Sequence, residues 1–189
     1  MVPSAVMNEA IVFFTVLAFR ALVQRTPKEK LPESFRYFTV LSNLFCAFTA
    51  LLMLLCELFG TMPAGAATLK YMGTAAVTVT LVTVFVYLLP ATGNLKGLLD
   101  SWPELIMHLI TPLLAILSFL FFENEGLSAW IIPLGVLPVL LYGWLYLDRV
   151  VVARAWPDLY GFNKTGQWKR SFAFMVVGAI LIAVLLWLL

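Results

Sequence analysis

Apolar residues run along this chain in six long stretches, with polar residues gathered between them or confined to one side of them. The stretches cover about residues 6–23, 35–59, 69–89, 103–122, 129–147 and 171–189. At about 1.5 Å per helical residue, segments of this length match a hydrocarbon layer of about 30 Å. The connections are short and leave no room for a soluble domain. The pattern therefore predicts an all-α fold, a polytopic membrane protein of six transmembrane helices in one bundle, with residues 1–189 as a single domain.

Two of the six stretches carry polar residues at helical spacing. In "SFRYFTVLSNLFCAF", residues 34–48, Thr39, Ser42, Asn43 and Cys46 follow an i, i+3, i+4, i+7 pattern and share one face. In the fourth stretch, Glu104, His108, Thr111 and Pro112 follow i, i+4, i+7, i+8. Thr39 lies about 6 Å past Phe35 along its helix and His108 about 7.5 Å past Pro103, so the two arrive at similar depth. Polar groups in hydrocarbon are costly unless they face the bundle interior and find partners. Both stripes are thus expected to face inward, toward each other. Glu104 also has a structural explanation: Ser101 can cap the fourth helix, Pro103 suits its first turn, and Glu104 completes a capping box.

Charge adds an orientation. The loops 24–34, 90–102 and 148–170, with adjoining helix ends, hold every Lys and Arg of the chain's 12 except Lys70. By the positive-inside rule this side is cytoplasmic and both termini are extracytoplasmic. The net charge of +2 is then topological and gives no reason to expect nucleic acid as a partner. With 62% hydrophobic and 12% charged residues, the composition lies far from that of a soluble domain. "MVPSAVMNEA" lacks a basic leader and reads as the start of a first span. "NKT" at 163–165 fits a glycosylation acceptor, but the orientation places it where it would be inert. Cys46 and Cys56, ten residues apart on one helix, cannot bridge each other.

The remaining stretches differ in character. The third is rich in Thr and β-branched residues, suited to back-bonding and to facing a neighbour. The fifth contains Pro133 and Pro138 and is expected to bend. The sixth has no charge after Arg170 and reads as a wall helix. The 148–170 loop mixes aromatics with cations, as a segment lying along the interface does.

These observations exclude several chemistries and permit one. A single histidine excludes bis-His haem within the chain, and no Cys/His cluster has zinc spacing. There is no G-x-S-x-G elbow and no phosphate-cradling glycine loop. A hydroxyl and an imidazole at one depth fit a nucleophile with its general base: neutral His108 would accept the Thr39 proton during attack. Ser42, Asn43, Glu104 and Thr111 share the two faces and are the candidate substrate contacts. The structural alternative is that Thr39 is back-bonded, Ser42, Asn43 and His108 join helices, and Cys46 packs.

The blocks "RYFTVLSNLFCAF", "LIMHLITPLLAIL" and "LLYGWLYLDRVVVARAWPDLYGF", in this order across residues 35–162, resemble the six-pass family of androgen-induced protein and androgen-dependent tissue-factor-pathway-inhibitor regulator. The likeness is greatest to the family's bacterial branch. It rests on an F-T-x-x-S-N element and an H-x-x-x-P element, and it departs at "WPDLYGF", where the bacterial pattern is closer to Y-P-Y-x-F. The resemblance implies an intramembrane threonine hydrolase of fatty acid esters of hydroxy fatty acids. Thr39 would be its nucleophile and His108 its histidine, in a bacterial cytoplasmic membrane. No metal or organic cofactor is implied, and the implied partner is a membrane lipid. Two other classes fit the same residues: a small transporter or lipid-binding protein whose polar faces line a path, and a scaffold whose polar faces only hold helices together.

Overall fold

The computed structural model describes residues 3–92, 99–163 and 166–189. Lys96 and Lys164, counted above among the loop cations, and the Lys and Thr of the 163–165 acceptor lie outside them. Among the described residues there is no strand, and six helices are long and apolar enough to cross a membrane. They are α1 (Pro3–Arg25), α2 (Phe38–Leu58), α3 (Gly65–Leu88), α4 (Trp102–Phe122), α5 (Ala129–Val152) and α6 (Trp168–Leu188). The chain is a multi-pass integral membrane protein by length and composition of these helices.

The helix bounds shift slightly from the apolar runs, for local reasons. Leu31–Ser34 forms a short helix of its own and Tyr37 is extended, so α2 begins at Phe38. Both cysteines are free.

The third span is the hub: α3 packs against α2, α4, α5 and α6. Small residues allow this, as expected where helices associate by close packing in lipid. A Cβ on Gly73 would sit 2.5 Å from Thr49 Oγ1, so the α2–α3 approach requires glycine there. A Cβ on Gly143 would lie 2.6 Å from the Met175 methyl and 2.7 Å from the Phe172 ring, so these α6 side chains occupy the space that glycine leaves on α5. Tyr71 of α3 donates to the Ala183 carbonyl of α6 (2.6 Å), giving a buried phenol its partner.

The bundle is layered, and α1 shows the layers most directly. Its buried residues Ser4, Asn8, Ile11, Thr15 and Ala18 recur every three or four positions. Ser4 and Asn8 lie in a polar layer with Lys70 and Glu123. Ile11 packs in an apolar layer with Cys46, Ala50, Val77 and Ala115. Thr15 meets Thr111 at 3.5 Å, and Ala18 packs with Val40, Ile106 and Met107. Below these, Arg25 binds Ser101 and Glu104. Polar layers at the two ends are thus separated by packed apolar ones.

Three of the helices widen into a π turn toward the end that carries the basic loops: Thr83–Leu88 in α3, Ile106–Ile110 in α4 and Asp148–Val152 in α5. In α4 the Thr111 N–H donates to the carbonyl of Ile106, five residues back. Pro112 gives the reason: it has no N–H for the carbonyl four residues earlier, that of His108, and its ring crowds that carbonyl. Pro90 stands in the same place relative to the α3 turn.

Candidate functional site

Thr39 sits in the first turn of α2, half-buried, and lines a cavity of about 40 Å³. The wall comprises Phe38 beside it, Thr80, Thr83, Val84 and Leu88 of α3, Val139 and Tyr142 of α5, Met175 of α6, and Tyr160 and Phe162 of the loop after α5. The space exceeds the roughly 10–15 Å³ that a single water needs. The π turn of α3 contributes Thr83, Val84 and Leu88, so the widened backbone forms part of the wall.

The loop that closes this cavity is folded tightly onto the bundle. Asp158 accepts hydrogen bonds from the Tyr146 hydroxyl (2.7 Å) and from the N–H groups of Phe162 (2.9 Å) and Asn163 (2.8 Å). Gly161 has φ +70°, a conformation that costs glycine little and lets the chain turn back over Asp158. The Phe38 N–H donates to the Tyr160 hydroxyl at 2.9 Å, so the loop caps α2 beside Thr39. The Tyr87 hydroxyl donates to the Tyr160 carbonyl and Ser171 to that of Phe162, both at 3.2 Å. Burial pushes the Tyr160 phenol above its ordinary pKa, against the opposing pull of the Tyr142 hydroxyl and the Phe38 and Thr39 N–H groups. The described part of this loop, up to Asn163, therefore caps the bundle beside Thr39. Sequence reasoning missed Tyr142, which reaches the site as α5 packs its ring 5.0 Å from that of Phe38, and Tyr160, whose approach depends on this fold-back.

His108 lies in the π turn of α4, its side chain 12% exposed. Its Nδ1 is 3.8 Å from Glu104 Oε2, a charge contact longer than a hydrogen bond. Glu104 in turn is paired with Arg25 of α1. The capping box expected for Ser101 and Glu104 does not form. Ser101 is the residue before the helix but makes no side-chain cap, and it accepts from Arg25 Nη1 at 3.0 Å instead. A cation from another helix satisfies both groups, which local spacing does not reveal. The result is a chain Arg25–Glu104–His108.

Asn43 connects the two polar helices. Its amide nitrogen donates to the Thr39 carbonyl at 2.8 Å and to the Met107 carbonyl, next to His108, at 3.0 Å. One side chain thus holds the backbone of both candidate catalytic positions at one level. His108 is not among the residues lining the Thr39 cavity. The Asn43 Oδ1 is buried and accepts no hydrogen bond among the described residues. Ser42 bonds the Thr39 carbonyl (3.2 Å) and the Thr80 hydroxyl of α3 (2.8 Å), which makes it an interhelical bond of α2. Thr111 is fully buried against Thr15 of α1 and lies apart from the Thr39 cavity. Cys46 packs in the apolar layer.

A second polar cluster at the other end went unread in the sequence. Lys70, Asn8, Ser4 and Glu123 are all buried, and Lys70 is 0% exposed. Lys70 Nζ lies 3.3 Å from Glu123 Oε2 and also binds Asn8, while Ser4 Oγ donates to Glu123 Oε1 at 2.8 Å. Ser4 and Asn8 are four apart at the start of α1, the one local signal that could have pointed here. Among the described residues no group of three or more His, Cys, Asp and Glu side chains could hold a metal ion.

No family model matches this chain, and no curated protein and no solved structure is similar to it.

Proposed function

We propose that this protein is an intramembrane hydrolase of lipid esters, with Thr39 as nucleophile and His108 as its base. The observation that carries the reading is the Asn43 amide, which ties the backbone of Thr39 to that of the His108 turn while Thr39 lines a mainly apolar cavity. The F-T-x-x-S-N and H-x-x-x-P elements support the same pair, and fatty acid esters of hydroxy fatty acids are the substrate class they suggest.

In the proposed reaction His108 removes the Thr39 proton as Oγ attacks the ester carbonyl. The tetrahedral intermediate expels the alcohol, which takes the proton from the imidazolium, and an acyl-threonine remains. Water then attacks the acyl group as His108 takes its proton, and His108 returns that proton to Thr39 Oγ as the bond to the acyl carbon breaks and the acid leaves. Glu104, held by Arg25, faces Nδ1 and stabilises the imidazolium by its charge. Lipid reaches the site from the membrane, in the leaflet at the basic end.

Purified protein incubated with a panel of lipid esters tests this. Wild type should release fatty acid, Thr39→Ala should not, and Thr39→Ser should keep part of the activity because a hydroxyl remains. Hydrolysis undiminished in Thr39→Ala, or none with any ester, contradicts the proposal. A transporter is the second reading, and the buried Lys70–Glu123 pair favours it, because intramembrane charges often mark transport paths. Lipid or ion flux across vesicles that is lost in the double variant Lys70→Met with Glu123→Leu but kept in Thr39→Ala would support that reading instead.

A further inference from the structure

A larger space lies on the lipid side of the Thr39 cavity. It measures about 440 Å³, within the range of about 300–1,000 Å³ usual for small-molecule sites, and it runs between α3 and α6. Val79, Thr83, Phe162 and Met175 line both this groove and the Thr39 cavity, so one wall separates the two. Met175 is an unbranched side chain with rotamers to spare and is the part of that wall best able to move. The outer rim is open: Val86 is 69% exposed and Phe174 66% exposed on the lipid-facing surface.

The groove is apolar along the span and polar at one end. Toward mid-bundle it is lined by Val79, Val82, Gly178, Ala179 and Ile182. At the basic end it is lined by Gln167, Arg170 and Ser171. The Arg170 guanidinium stands 5.5 Å from the centre of the Phe174 ring, which steadies it at the mouth. Among the described residues Arg170 makes no ion pair. A guanidinium at an interface, above an acyl-sized apolar groove, is complementary to a lipid with an anionic head and a hydrocarbon tail.

We infer that the α3–α6 groove is the lateral portal and acyl-chain site of this protein, and that Arg170 selects lipids whose polar end is anionic. The acyl tail lies against Val79, Gly178 and Ile182, and displacement of Met175 brings the chain's ester to Thr39. This assignment rests on the Thr39 reading for its catalytic meaning, but the groove's occupancy can be measured without turnover.

The test uses the full chain in phosphatidylcholine vesicles, irradiated with palmitic acid carrying a mid-chain diazirine or with its methyl ester, followed by mapping of the crosslinked peptides. The acid should label residues 79–87 and 174–182. Gly178→Phe should lower that labelling at least fivefold; a Cβ at Gly178 enters open space, so the ring can fill the groove without a backbone clash. Arg170→Gln should lower labelling by the acid severalfold and leave labelling by the methyl ester unchanged. Labelling spread evenly over the lipid-facing sides of α1 and α2 would overturn the portal, and equal loss of both probes in Arg170→Gln would overturn the charge selection. Thr39→Ala should be labelled like wild type. Groove labelling without any ester hydrolysis would sink the Thr39 reading and leave the portal standing, whereas hydrolysis without groove labelling would do the reverse.

Discussion

Two ionic clusters join α1 to α4, one at each end of the bundle, and they use similar residues in opposite surroundings. At the basic end, Arg25 and Glu104 are 43% and 34% exposed, and Glu104 has a second neighbour in His108. At the other end, the Lys70 and Glu123 side chains are 0% and 1% exposed, and Asn8 and Ser4 take up further bonds. Exposure decides what each can do. A half-hydrated pair keeps most of its solvation, adds little stability and leaves its groups able to respond to a reaction. A fully buried pair is costly to form and far more costly to break, because removing one partner strands the other. The buried cluster therefore pins the fold, and the hydrated one is the cluster available to the proposed reaction.

The largest expected effect falls on the pin. Lys70→Met strands Glu123 and should destabilise the protein by about 3–5 kcal/mol, read as a drop in thermal midpoint in detergent. The double variant Lys70→Met with Glu123→Leu should recover most of that loss. Equal stability of Lys70→Met and wild type would abolish the contrast between the two ends.

At the hydrated end the effects should invert. Glu104→Gln should change stability by no more than about 1 kcal/mol. It should nonetheless lower ester turnover by more than about tenfold, as the imidazolium loses its counter-charge. Arg25→Ala should behave alike but more mildly. A variant here that unfolds as readily as Lys70→Met would mean that both clusters are structural.

The smallest effect concerns the cap beside Thr39. The folded-state pKa of Tyr160 is raised by burial above the ordinary 10.0, so the neutral phenol is the favoured form. Its contribution to stability is complete below that value and is lost as pH rises through the folded-state pKa. Protease cleavage of the 153–163 loop should accelerate above about pH 10, and Tyr160→Phe should remove Tyr160's share of that dependence.

The six spans were legible in the sequence because lipid imposes long apolar runs and little else competes with that signal. The α2 stripe was legible too: Ser42, Asn43 and Cys46 are buried, as a helical period predicts. What spacing could not give were contacts made between helices. Arg25 engages the Ser101 and Glu104 side chains that would otherwise cap their own helix, Tyr160 reaches Thr39 only through a folded-back loop, and Lys70 looks like a lone cation at the start of the third stretch until Asn8 and Glu123 surround it. The π turn at His108 sits between these cases, since Pro112 announces the lost hydrogen bond but not its outcome.

Trapping Thr39 covalently is the most direct measurement of whether it is the proposed nucleophile, activated by His108. A lipophilic fluorophosphonate should bond through phosphorus to Thr39 Oγ, losing fluoride as His108 takes the hydroxyl proton. Mass-spectrometric site mapping should find the adduct on Thr39 in wild type and in Thr39→Ser at the same position. It should find almost none in His108→Ala, because a nucleophile and its base act as one unit. An adduct as strong in Thr39→Ala as in wild type would contradict the account and place the reactive group elsewhere.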